Sequence, residues 1–333
     1  MNDKTASTKP DHSSFSRIKK IIKVIFPWVI SGGLIAFVVL TEDMGKVVSD
    51  FGEINLLVFF AVTIPFLCVL LLIETIFLVI GFRWFAGVGY FGELLRARAA
   101  TYLLTVISIF VGLGGLVAYG KRRYGISYSL GTAIVLNELL HELASQCTLA
   151  LMIGLLLPSE LIPEAALPAV KGVTIVGMTG VGIYILILIS NTLFKYPLKK
   201  YRMNNLLDNF VDISLKQYAI FYFTKLIQNI LYGLFLAGVL VSFAIKPPVI
   251  VSVGFMQIIH LTRAIPVSAF GIGVDQIAIK YLFEAWAPSS TGLLLACSGV
   301  FTFTLVIGRA LLGVPFLKGV FDDLVEDPKK MND

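Results

Sequence analysis

The stretch AATYLLTVISIFVGLGGLVAYGKRR, residues 99–123, decides how this chain is organised. Its apolar part has about the 20 residues that cross a hydrocarbon core of roughly 30 Å. A crossing would place Lys121, Arg122 and Arg123 on the side opposite Arg83, Arg96 and Arg98. Lys and Arg collect on the cytoplasmic side of membrane proteins, so the triplet argues that the stretch enters and turns back. Gly112-Leu113-Gly114-Gly115 supplies a turn, because glycine takes the positive φ of a tight reversal. The arm that follows, 116–124, is too short to span. The sequence predicts a re-entrant hairpin.

Working outward, the whole chain has the composition of a membrane protein. Only 14% of its 333 residues are charged, against about 25% in an ordinary soluble domain. Hydrophobic residues make up 57% and mean hydropathy is +0.88. A soluble enzyme, a disordered chain, a collagen-like fibre and a coiled coil are excluded on these grounds. Six runs are long enough to span: 22–40, 56–80, 129–157, 170–190, 218–245 and 290–313. Residues 249–286 carry Pro266 and Gly271-Ile272-Gly273 between two apolar arms and predict a second hairpin.

Basic residues test this topology. Segments placed inside hold 20 of the 27 Lys and Arg, and segments placed outside hold five: Lys46, Lys171, Lys246, Arg263 and Lys280. Lys225 and Arg309 fall within spans. The bias supports both hairpins over the alternative in which those stretches cross. The expected fold is all-α: a polytopic integral membrane protein of about six transmembrane helices plus two re-entrant helical hairpins. Residues 1–20 form a basic cytoplasmic tail, 21–318 one membrane domain, and 319–333 a polar cytoplasmic tail. Each half, about 21–157 and 170–318, reads span, span, hairpin, span. Three crossings per half is odd, so the halves form an inverted repeat, as in many transporters. The N-terminus reads as a tail and anchor in the cell (inner) membrane, not a cleavable signal.

Charges left inside the membrane carry the functional signal, since each costs roughly 2.5–3.5 kcal/mol even on lenient insertion scales. Glu138, His141, Glu142, Ser145 and Thr148 share one helical face. Lys225, Gln228, Asn229 and Tyr232 share another, Ser298, Thr302 and Arg309 a third, and Glu74 lies late in the second span. One reading is a polar cavity for a charged headgroup. The other is a set of buried ion pairs, Glu138 or Glu142 with Arg309 or Lys225, that fixes packing. Helices beginning after Gly114-Gly115 and after Gly271-Ile272-Gly273 would point free N–H groups inward, and with Arg263 and Arg309 would suit a phosphate; the same glycines also suit close helix packing.

Other chemistry is not signalled. His141-Glu142 lacks the second histidine of a zincin, Glu138-x-x-His141 has no partner motif, and no phosphate-binding loop or GxSxG occurs. No metal, cofactor or enzyme activity is expected. Cys68, Cys147 and Cys297 read as buried packing thiols. The net charge of +6 follows from the inside bias, and no nucleic-acid partner is expected.

Arg83-Trp84, residues 97–116 ending in Gly114-Gly115, Tyr124-Gly125-Ile126-Ser127 leading to Glu138, the segment Arg263 through Pro266 and Gly271-Ile272-Gly273 to Asp275, and Arg309 together resemble one family. That family is the lysylphosphatidylglycerol synthase transmembrane-region, or flippase-like, proteins. The resemblance spans roughly 15–320 and lacks the aminoacyl-transferase domain. Phe270 stands where a glycine is usual, and Leu139 where an arginine is usual. The resemblance implies translocation of a lipid with a polar or phosphate headgroup, with membrane lipids and an anionic or phosphate lipid headgroup as the expected partners. Two alternatives stand beside it: a small-solute or proton-coupled secondary transporter, and a non-transporting membrane subunit of a lipid or cell-envelope biosynthesis enzyme; a homo-oligomer or a lipid-biosynthesis enzyme is the expected protein partner. Expected substrate-binding residues are Glu138, His141, Glu142, Arg309, Gly114, Gly115, Arg263, Gly271, Gly273, Asp275, Glu74 and Lys225.

Overall fold

The structure is a computed structural model that describes residues 29, 32–34, 36, 37, 39, 40, 43–193, 214–264, 272–287 and 291–325. Among these residues the regular structure is helical. A short α1 (Met44–Asp50) precedes α2 (Leu56–Ala86), α3 (Phe91–Thr105), α4 (Ile109–Tyr124), α5 (Tyr128–Leu156) and α6 (Leu167–Leu193). Then come α7 (Leu215–Ser242), α8 (Val249–Ala264) and α9 (Val274–Phe283). The last helical stretch runs through α10 (Thr291–Phe303), a π turn (Thr304–Gly308), α11 (Arg309–Gly313) and α12 (Leu317–Val325).

Five helices are long and apolar enough to cross a membrane: Leu56–Ala86, Tyr128–Leu156, Glu164–Ile189, Leu215–Ser242 and Gly292–Asp323. They coincide with five of the six runs read from the sequence. The sixth, 22–40, falls largely outside the described residues. Local signals set the helix ends. Asn55 caps α2 by accepting from the Val58 N–H, and Gly87 ends it at φ +69°. Ser127 caps α5 by accepting from Leu130, and Ser214 with Gln217 forms a capping box on α7.

The molecule is turned inside out relative to a soluble protein. Large apolar side chains such as Leu57, Ile64, Ile175, Leu186, Phe223 and Ile227 face outward, while Glu74, Glu138, Lys225, Gln228 and Asn229 are buried. Helix α7 is the centre: it is the most buried of the five long helices, and α6 the least. Helices α2, α5, α8 and α10 surround α7, and α6 lies along α5. Gly177 permits that last contact, since a Cβ there would lie 2.7 Å from the Cys147 carbonyl oxygen. Lipid supplies no hydrophobic drive between helices, so such close packing holds the pair.

Several readings need correction. Gly112–Gly115 does not form the first turn. The chain reverses at Val106–Ser108, and the glycines lie inside α4. Ser108 wins the boundary because its hydroxyl caps α4 by accepting from Phe110. Gly115 instead lets α4 approach α3, with Leu104 Cδ1 2.7 Å from a Cβ built there, while Gly114 faces open space. Cys68 is not buried; it lies on the outward face of α2, opposite Phe66, Leu67 and Leu70. The tail read from 319 is helical through Val325 and packs on α3 and α4, because Asp323 accepts from Arg96 Nη2 at 2.7 Å and from the Tyr119 hydroxyl at 3.0 Å.

Candidate functional site

Helices α2, α3, α5, α7 and α11 bring six charges together beneath the protein surface. Glu74, 1% exposed, stands at the centre of α2. Its Oε2 accepts from Arg98 Nε at 2.6 Å and the Tyr102 hydroxyl at 2.8 Å. Its Oε1 accepts from Arg309 Nη2 at 2.5 Å. Glu138 Oε1 accepts from Lys225 Nζ at 2.9 Å and Arg98 Nη2 at 3.3 Å. Lys225 Nζ also donates to Glu142 Oε2 at 3.2 Å and Gln228 Oε1 at 3.0 Å. Three carboxylates thus meet three cations, Arg98, Lys225 and Arg309, and the formal charges cancel. Cancellation explains how a charged set survives burial, since unpaired ions there are strongly disfavoured.

Aromatic rings frame the cations. Lys225 lies over Phe77, Nζ to ring centroid 4.8 Å, and Arg309 lies over Tyr102 at 4.9 Å and donates to the Tyr232 hydroxyl at 2.7 Å. The π turn directly before Arg309 inserts an extra residue into the helix and re-aims the side chains beyond it. Two members reach the surface: the Glu142 side chain is 28% exposed and Arg309 20%. Lys225 is fully buried.

The structure therefore assembles Glu74, Glu138, Glu142, Lys225 and Arg309 from the sequence reading, and adds Arg98 and Tyr102, which that reading missed. The ion-pair partners differ in detail: Lys225 joins both Glu138 and Glu142, whereas Arg309 pairs with Glu74. His141 is apart from the charges. Its Nδ1 meets the Asn137 carbonyl at 2.7 Å, and its ring packs among Tyr184, Tyr218 and Phe221. Arg98 was counted with Arg96 as a topological charge. Arg96 and Arg98 are two apart and point to different faces of α3, while Arg98, Tyr102 and Thr105 share one; that spacing was the available signal.

Arg263 and Asp275 form a separate site in the second half. Arg263 Nε donates to Asp275 Oδ1 at 2.9 Å, its Nη2 donates to Oδ2, and the Thr302 hydroxyl donates to Oδ2 at 2.9 Å. The pair ties α8 to the first turn of α9. Gly273, at φ +89°, opens α9 and donates its N–H to Gln276 Oε1 at 2.6 Å. Gly271 lies outside the described residues, and Gly114 and Gly115 are not near the charge cluster by any described contact. Among the described residues no three His, Cys, Asp or Glu side chains are grouped to hold a metal ion. No protein-family profile matches the chain, nor does any curated protein or solved structure.

Proposed function

We propose that the protein translocates a lipid with an anionic, phosphate-type headgroup across the cell membrane. One observation carries the reading: a buried, charge-balanced cluster joins Glu74, Arg98, Glu138 and Glu142 of the first half to Lys225 and Arg309 of the second. A headgroup entering at the partly exposed Arg309 competes with Glu74 for the guanidinium, and separating the halves opens the polar path while the acyl chains stay in lipid. The motif resemblance points the same way. The direct test is reconstitution with a fluorescent anionic lipid, with wild type expected to move it between leaflets. A rate no higher than in protein-free vesicles would overturn the reading.

The finer topology belongs to the same proposal: six spans with the sixth at 22–40, two re-entrant hairpins, and both termini cytoplasmic. Helices α3 and α4 have 15 and 16 residues, about 22 and 24 Å long at 1.5 Å per residue and short of a ~30 Å core. They pack together, and Arg123 at the end of α4 pairs with Glu93 at the start of α3 at 2.9 Å. That closure supports the hairpin, in which Lys121 would lie on the side of Arg96. In a chain freed of Cys68, Cys147 and Cys297, a membrane-impermeant maleimide should label Lys280→Cys on intact cells. Lys121→Cys should react only after permeabilisation, and external labelling there overturns the topology.

A further inference from the structure

The charge balance of the cluster holds one asymmetry. Glu138 is 2% exposed, and both its hydrogen bonds fall on Oε1, from Lys225 and Arg98. Its Oε2 is buried and accepts no hydrogen bond from any described residue. The other buried carboxylate, Glu74, is engaged at both oxygens. A proton added to Glu138 Oε2 therefore breaks no hydrogen bond, since Oε1 still accepts as a carbonyl oxygen. It also changes the charge of the cluster from balanced to one unit positive.

The surplus has an outlet. Arg309 is the most exposed of the three cations, its side chain 20% exposed against 11% for Arg98, and its buried Nε has no hydrogen-bond partner among the described residues. A monoanionic phosphate diester restores the balance. We infer that Glu138 is a proton-binding site coupled to anion binding at Arg309, so that one proton and one anionic headgroup enter the cluster together. The proton forms an O–H bond at Oε2, the anion offsets the surplus positive charge of the cluster as a whole, and the two together return the formal charge to zero, while Arg309 keeps its pairing with Glu74. The cargo in this inference rests on the translocation reading above; the proton site does not.

Among the described residues none donates to Oε2, and the buried His141 Nε2 on the same helix is likewise without a hydrogen-bond partner. Glu74 on α2, Arg98 on α3 and Lys225 on α7 face Glu138, with Glu142 and His141 on its own helix. Helix α6 brings Tyr184 to His141 one turn away, and α8 brings His260 to Gln146 two turns away. Helix α4 meets α5 through Val117 at Gly131, two turns toward the start of α5.

Two measurements on the purified full chain test this. Infrared difference spectra of an acid step should show a protonated-carboxyl band that disappears in Glu138→Gln and persists in Glu142→Gln. Binding should then be titrated with a short-chain phosphatidylglycerol and, separately, with inorganic phosphate. By linkage the apparent Kd of the bound lipid should tighten by up to about tenfold per pH unit lowered wherever one proton is taken up with each anion, and Glu138→Gln should lose that dependence, leaving for inorganic phosphate only the dependence of its own ionisation. If phosphate alone binds with this pH dependence and the lipid does not, the proton site stands and the lipid reading falls. If the band survives in Glu138→Gln, or that variant keeps the pH dependence of wild type, the inference is overturned. Size-exclusion profiles matching wild type confirm that the near-isosteric variants are folded.

Discussion

Lys225→Met is expected to destabilise the protein by about 3–5 kcal/mol, the range for removing one partner of a buried ion pair. Lys225 Nζ is the only cation in contact with Glu142 and the nearer of two cations on Glu138 among the described contacts. Methionine keeps most of the side-chain volume beside Phe77 but leaves Glu138 with Arg98 alone and Glu142 without a cation among the described contacts. The thermal midpoint in detergent should fall on the order of 10 °C. The double variant Lys225→Met with Glu138→Gln removes one charge of each sign, and the midpoint should recover at least half of the loss. A buried pair is often worth little against an uncharged replacement, yet costly to break by halves. A single variant as stable as wild type would show that Lys225 does not hold these carboxylates.

The cluster also shows where a sequence stops being legible. The spans were readable because bilayer thickness dictates run length, and five of the long helices fall where hydropathy puts them. The polar face of α7 was readable because helical periodicity places Lys225, Gln228, Asn229 and Tyr232 on one side, and all four are buried. Partner choice was not readable. Whether Arg309 meets Glu138 or Glu74 depends on how α11 crosses α2, which the π turn before Arg309 sets and no periodicity announces. Arg98 was hidden by its neighbour Arg96, since a loop-charge count treats both alike although only one turns into the core. The first hairpin turn was misplaced because glycines in a membrane helix serve close packing as readily as reversal. Ser108 carried the stronger boundary signal through its capping hydroxyl.

Arg309 should separate transport from stability where Lys225 cannot. Removing its guanidinium leaves Glu74 still paired with Arg98 and hydrogen-bonded to Tyr102, so Arg309→Gln should fold with a modest loss of roughly 1–2 kcal/mol. Translocation of an anionic lipid depends on that guanidinium if the headgroup enters there. A hydrogen bond to a charged group contributes about 1.5–3 kcal/mol, so the rate in reconstituted vesicles should fall on the order of 10–100-fold. Arg309→Lys keeps the charge but not the planar guanidinium that donates to Glu74 and Tyr232 and that, on the translocation reading, would also offer a fork to a phosphate. It should recover part of the rate and show weaker discrimination for phosphate-headed over zwitterionic lipid. A purely structural Arg309 predicts the opposite order: rate would track the thermal midpoint across Gln and Lys variants, and lipid preference would stay as in wild type. Folded Arg309→Gln protein moving anionic lipid at the wild-type rate would remove Arg309 from the path.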